Sequence, residues 1–228
     1  MLMMLYLMMF ITGILGVTAA KFLGGISVSA DTSLTVRGSA ILSLGMYAAQ
    51  FILLAATMNR WGQEWNLRRA IRGLGAGIIA IAMIAPIILT VGWLAGEVYG
   101  WWRGEPPEII AHDTLKLMLN SPRDIWFWVL AAGVIFGAAI CEEAAYREFL
   151  QGAFRGWGVG PWPAIGITSV IFALVHWDAV SPHALLALFT LALGLGWARE
   201  KTGTLIAPII MHMLFNAGNL GLALLITS

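Results

Sequence analysis

IWFWVLAAGVIFGAAICEEAAYREFLQGAF, residues 125–154, is the stretch whose reading decides the fold. It starts as an apolar run from Ile125 to Cys141 and then carries Glu142, Glu143, Arg147 and Glu148 with no helix breaker before Gly152. A membrane-spanning helix needs roughly 20 apolar residues at about 1.5 Å rise each. This stretch is long enough to cross a bilayer and then protrude or tilt. Ionisable groups inside a membrane helix cost free energy, and their default reading is functional. Arg147 follows Glu143 by one helical turn, so the two share a face, with the carboxylate N-terminal to the cation, the favourable order. Arg147 can hold Glu143 ionised and fixed. Glu142 points about 100° away around the helix, has no local cation, and faces Tyr146 one turn on. A carboxylate in an apolar wall suits a general base or acid. One Glu works and the other is structured.

Two more apolar stretches carry polar groups at the same spacing. Phe172 and His176 fall one turn apart near the end of a span that starts at about Ala164, and His212 and Asn216 repeat the pattern further on. An imidazole can shuttle protons or bind metal, and an asparagine amide donates hydrogen bonds without titrating, which suits an oxyanion hole. Counted from one membrane face at 1.5 Å per residue, Glu142, His176 and His212 lie roughly 13, 18 and 11 Å deep. Singly, each group has an ordinary explanation. A membrane His or Asn can join two helices, and a Glu–Arg pair can be structural. Chance would scatter three such groups over about 30 Å, so their common depth predicts one buried centre. Asp178 reads as a turn cap, and His183, after Ser181-Pro182, as an interfacial residue.

The rest of the chain supports a membrane class. Of 228 residues, 60% are hydrophobic and only 11% charged, with mean hydropathy +0.84, against about 25% charged in ordinary soluble domains. The fold class is an all-α, polytopic transmembrane bundle. About seven spans are expected: Leu2 to Ala20, Ser39 to Met58, Ile71 to Leu94 with Pro86 kinking it, Ile125 to Phe154, Ala164 to His176, His183 to Trp197, and Leu205 to Ile226. Residues 1–228 read as one domain, with N-terminal spans and an amphipathic interfacial loop over 1–124 and the polar-bearing core over 125–228. The loop is the polar stretch from Gly96 to Asp124, whose middle, Ile109 to Leu119, lies at the interface. The run from Met1 to Ala20 has no positive leader and reads as a retained first span. Trp61, Trp65, Trp93, Trp101, Trp102, Trp157, Trp162 and Trp197 sit near span ends, as an aromatic belt requires.

A net charge of +1 gives no basic surface for nucleic acid. Cys141 is the only cysteine, which excludes an internal disulfide and any CxxC site; it reads as a small buried filler. On one side of the membrane lie Arg60, Arg68, Arg69, Arg72, Arg155, Arg199 and Lys201, and on the other Lys21, Arg37, Arg103, Lys116 and Arg123. The first side is therefore expected to be cytoplasmic, with the polar centre leaning toward it.

Glu142-Glu143-x-x-x-Arg147, Phe172-x-x-x-His176 and His212-x-x-x-Asn216, in that order inside apolar helices, resemble the CPBP family. That family groups type II CAAX prenyl proteases with bacteriocin-processing and immunity-associated membrane proteins. The resemblance covers about 142 to 220, and Thr202-Gly203-Thr204-Leu205 before the last motif also fits. Tyr146 and Glu148 depart from the family's usual Phe and Gly on either side of the Arg; Glu148 adds a third carboxylate.

The resemblance implies an intramembrane endopeptidase of a prokaryotic cytoplasmic membrane. Glu142 would activate water with His176. His212 and Asn216 would stabilise the oxyanion, and Glu143 and Arg147 would orient Glu142, with Tyr146 and Phe172 supporting. Its partners would be membrane lipid and a peptide or C-terminal protein substrate. Glu142, His176 and His212 could also make a zinc site with an open fourth position. HExxH is absent, so the expectation is direct Glu/His activation without an obligatory metal, with a divalent metal such as zinc as the alternative. Two rival readings stand beside the protease: a non-proteolytic immunity or binding protein of the same fold, and a proton-coupled transporter using the same groups as a relay. The usual transporter signs, internal repeats and broken midplane helices, are not evident in the sequence.

Overall fold

The computed structural model describes residues 1–26, 35–57 and 67–227. Among these the chain forms helices and one isolated β-bridge. In chain order they are α1 (Leu2–Leu23), α2 (Val36–Ala56), α3 (Leu67–Arg103), α4 (Asp113–Leu119), α5 (Ile125–Gly156), α6 (Pro161–Leu174), α7 (Ala184–Thr202) and α8 (Ile206–Ile226). Local chemistry fixes the starts. Thr35 caps α2 by accepting from the Gly38 N–H at 3.1 Å. Asp124 caps α5 by accepting from the N–H groups of Trp126 and Phe127, at 2.9 and 3.1 Å. Pro161 occupies the first turn of α6, where its missing N–H costs nothing. Gly203, at φ +65°, ends α7 in the left-handed conformation that glycine adopts freely.

Among the described residues five helices, α1, α2, α3, α5 and α8, are long and apolar enough to cross a membrane. The expectation of about seven spans meets two shorter cases. The fifth expected span is α6, whose 14 residues cover about 21 Å. The sixth is α7, whose last turns carry Arg199, Glu200 and Lys201. The third span is longer than expected, because α3 runs on through Val98, Tyr99, Trp101 and Trp102 to Arg103. The expected polar loop therefore starts at Gly104 rather than Gly96: the aromatic residues keep the chain helical, while Gly96 and Gly100 let Pro107 approach closely. The last expected residue of the second span, Met58, lies outside the described residues, as do Arg60, Trp61 and Trp65.

α5 is central. It meets α1, α2, α6, α7 and α8, while α3 packs across α7 and α8. The α1–α2 crossing is close because Gly16 faces Gly45: a Cβ on either would overlap the other's backbone. Small residues at such crossings let backbones approach and gain packing, the main drive when lipid is as apolar as the helices. Tyr47 of α2 lies flat on Gly137 of α5, where a Cβ would run into its ring. Outward faces are apolar, with Ile71, Ile78, Met83, Ile87 and Trp93 of α3 all exposed, as a lipid-facing surface requires.

Candidate active site

α5 is not a uniform α-helix. Gly133–Ala138 and Ala144–Gln151 are π-helical. Widened turns of this kind cluster at functional sites, because they re-aim side chains and loosen the hydrogen-bond ladder. Both flank the acidic pair. Glu143 is fully buried; its Oε2 accepts from Arg147 Nε at 3.0 Å and its Oε1 accepts from His212 Nδ1 at 3.0 Å. The Arg147 guanidinium lies over the Phe172 ring, 5.4 Å from its centre. Phe172 is the hub of the cluster, with ring centres of Tyr146, His176 and His212 at 5.1, 4.9 and 5.9 Å. The shared face read for Glu143 and Arg147 is present as a hydrogen-bonded ion pair.

His176 lies beyond the end of its helix rather than on a helical face with Phe172. α6 stops at Leu174, and the His176 N–H turns back to the Ala173 carbonyl. That tightening leaves the Phe172 carbonyl without its usual i+4 donor, one of the orphan carbonyls of a helix end. His176 Nδ1 fills the gap at 2.7 Å. A carbonyl only accepts, so Nδ1 carries a proton and the ring turns Nε2 elsewhere. It faces Glu142: Nε2 and Oε2 are 3.9 Å apart. The gap is too long for a direct bond and short enough for one water to bridge. Glu142 Oε2 makes no hydrogen bond among the described residues.

Glu142, His176 and Tyr146 line a cavity of about 430 Å³, together with Cys141. Its other wall comes from α1 and α2, including Met9, Phe10, Met46, Tyr47 and Gln50. The sequence reading assigned no role to these helices. Gln50 carried a usable signal, a polar amide inside an apolar span; it donates to the Met9 carbonyl at 3.1 Å. His212 and Asn216 do not line this cavity. His212 is bonded to Glu143, the neighbour of the lining residue Glu142, and Asn216 Nδ2 donates to the Val134 carbonyl, inside the first π segment, at 2.8 Å. Asp178 is exposed on the turn after His176. His183, expected at the interface, is buried at 9% exposure with its ring 5.6 Å from that of Tyr99. Glu148 points away from the centre and pairs with Arg199 of α7.

Among the described residues no three His, Cys, Asp or Glu side chains come together closely enough to hold an ion. His212 Nδ1 is held by Glu143 and His176 Nδ1 by a carbonyl, which leaves Nε2 of each ring as the nitrogen that could ligate.

Residues 124–218 match the family model described as type II CAAX prenyl endopeptidase Rce1-like. This segment is similar to the Rce1-like family. The match spans all three motifs and agrees with the resemblance they carry. At the level of the Rce1-like family the activity is proteolysis, and the apolar helices make the protein an integral membrane protein. No curated protein and no solved structure matches the chain.

Proposed function

We propose that this protein is an intramembrane endopeptidase that hydrolyses a peptide bond in a membrane-embedded or membrane-adjacent segment. The observation that carries the reading is the facing of Glu142 and His176 Nε2 across 3.9 Å at the floor of a cavity of about 430 Å³. A water held between them would lose one proton to Glu142 as its oxygen bonds to the peptide carbonyl carbon, while His176 Nε2, its tautomer set by the Phe172 carbonyl, would accept a hydrogen bond from the remaining O–H; Glu142 would then return its proton to the leaving amine as the C–N bond breaks. Tyr146 and the apolar wall of Met9, Phe10 and Met46 would seat the substrate beside that water. His212, held by Glu143, would present its second ring nitrogen to the developing oxyanion. Asn216, on α8, would contribute the N–H of its amide that the Val134 carbonyl leaves free, and the Glu143–Arg147 pair would fix Glu142 from the adjacent residue. All of this is direct activation, with no step assigned to a metal.

The reading includes seven spans, with α6 as a short crossing and α7 as a crossing whose charged last turns emerge. The side bearing Arg68, Arg69, Arg72, Arg155, Arg199 and Lys201 would then be cytoplasmic, in a prokaryotic cytoplasmic membrane. The test is purified protein in lipid vesicles with candidate membrane peptides, read by product mass. Cleavage by wild type that is lost in Glu142→Gln and His176→Asn supports the reading; equal cleavage by Glu142→Gln removes it. A second reading, a non-proteolytic immunity or binding protein of the same fold, draws on the complete burial of the Arg147–Glu143–His212 network, which suits a structural role. Full biological function in Glu142→Gln would favour it.

A further inference from the structure

No helix holds His176, so something else must. Its carbonyl accepts from the N–H groups of Ala179 and Val180, at 2.9 and 3.2 Å. Val180 in turn forms the isolated antiparallel bridge with His112, from the connection between α3 and α4. There the Asp113 N–H donates to the Ala179 carbonyl at 3.0 Å, and the Ser181 N–H donates to the Ala111 carbonyl at 2.8 Å. A carboxylate fastens the joint from outside. Glu108 accepts from the Ser181 hydroxyl and from Lys116 Nζ, the latter at 2.7 Å, and Lys116 also reaches Asp113 at 3.4 Å. An unbroken path of hydrogen bonds and short turns therefore runs from an exposed carboxylate to the backbone of His176.

We propose that segment 105–116 is a strap that aims His176 at Glu142, with Glu108 and Ser181 as positioning residues for the reaction. The proposal rests on the proteolytic reading above. Its physical basis is the 3.9 Å gap, which one water can bridge only while both groups keep their places. A shift of about 1 Å at such a site can cost on the order of 100-fold in rate. The clasp itself is exposed, and exposed ion pairs contribute little to stability. Cutting it should spare the fold and strike the reaction.

The test uses the full chain in lipid vesicles and the substrate found for wild type. Glu108→Ala and Ser181→Ala are expected to lower kcat about tenfold, within that range, with KM and Tm unchanged. Glu108→Gln, which keeps an acceptor for Ser181, is expected to restore most of kcat. The ring signals of His176 in histidine-labelled protein should move in both Ala variants and return in the Gln variant. Wild-type kcat and unmoved His176 signals in Glu108→Ala, with Glu142→Gln inactive, overturn the strap alone. A Tm that falls together with kcat makes the clasp structural and also overturns it. Full cleavage by Glu142→Gln overturns the proteolytic reading and the strap with it.

Discussion

Two adjacent carboxylates should respond in opposite ways to the same substitution. Glu143 has no exposed surface, and its partner Arg147 is equally buried, with Nη1 and Nη2 making no hydrogen bond among the described residues. Glu143→Gln therefore removes the counter-charge of a buried guanidinium and leaves Arg147 and His212 one acceptor oxygen to share. Breaking a buried pair from one side costs about 3–5 kcal/mol. At about 2–4 °C per kcal/mol for a chain of this size, Tm should fall by roughly 6–20 °C. Glu142 is 27% exposed at its side chain, and its Oε2 has no hydrogen-bond partner among the described residues. Glu142→Gln should therefore leave Tm within about 2 °C, as substitutions that break no buried network do, while cleavage is lost. Cys141 supplies the assay. It is buried and is the only thiol, so a fluorogenic maleimide in detergent reports unfolding directly. Equal melting of the two variants would refute the reasoning, because it would mean that the buried pair contributes nothing that the half-open carboxylate does not.

Loss of His176 should act like loss of Glu142: His176→Asn is expected to reduce cleavage about 10²- to 10⁴-fold with Tm preserved, read by product mass and thiol-reporter melting. Exhaustive chelation is expected to leave the rate unchanged, measured on the same peptide before and after dialysis; an activity that disappears and returns only with zinc would defeat direct activation. Acid should loosen the strap in a defined order. Burial, then the neighbouring His176, holds the His112 imidazole below its ordinary 6.5, so His112 stays neutral in the fold, and protection of the Val180 amide from hydrogen exchange should weaken as pH falls below 6.5. Hydrogen bonds from Lys116 and Ser181 hold the Glu108 carboxyl below its ordinary 4.5, so the clasp is complete at neutral pH and opens only when pH drops through that lowered value. Gly16→Leu should part α1 from α2, since its Cβ has no room against Gly45, and should abolish both the cavity wall and cleavage, with loss of accessible-mass homogeneity on gel filtration.

The acidic pair and its Arg were legible because a helix of either pitch keeps residues 143 and 147 close, and a charge in an apolar run has few other uses. The His212 motif was legible for the same reason, although its partner, Glu143, was not. Sequence periodicity places side chains around one helix and says nothing of which neighbour they meet. The π segments of α5 were not legible at all: Gly133–Ala138 and Ala144–Gln151 contain the same small and apolar residues as ordinary helix, and their widening is set by tertiary contacts such as Tyr47 on Gly137. Spans were read from apolarity alone. The reading was therefore firm for α5 and α8 and ambiguous for α6 and α7, whose length or terminal charges sit at the limit of a crossing. The cavity wall from α1 and α2 was missed because Met, Phe and Gly look alike whether they face lipid or a pocket.

Irregular backbone is what gives this centre its orientation. His176 is fixed by a carbonyl that α6 releases at its last turn, and Asn216 by a carbonyl within the first π segment of α5. A released carbonyl in a membrane interior is costly, since neither lipid nor water satisfies it. The side chain that satisfies it is therefore held by a strong restoring force, and its remaining polar atom points in one direction. For His176 that atom is Nε2, toward Glu142. Had α6 continued as regular helix through residue 176, the Phe172 carbonyl would have bonded to the His176 N–H, and Nδ1 would have lost its partner. The imidazole could then have taken either tautomer and would not have been committed as an acceptor opposite the acid. On this argument the early end of α6 is part of the site, and a change that extends it, Asp178→Ala together with Ser181→Ala, should lower activity through His176 while the Glu143–Arg147 pair stays intact.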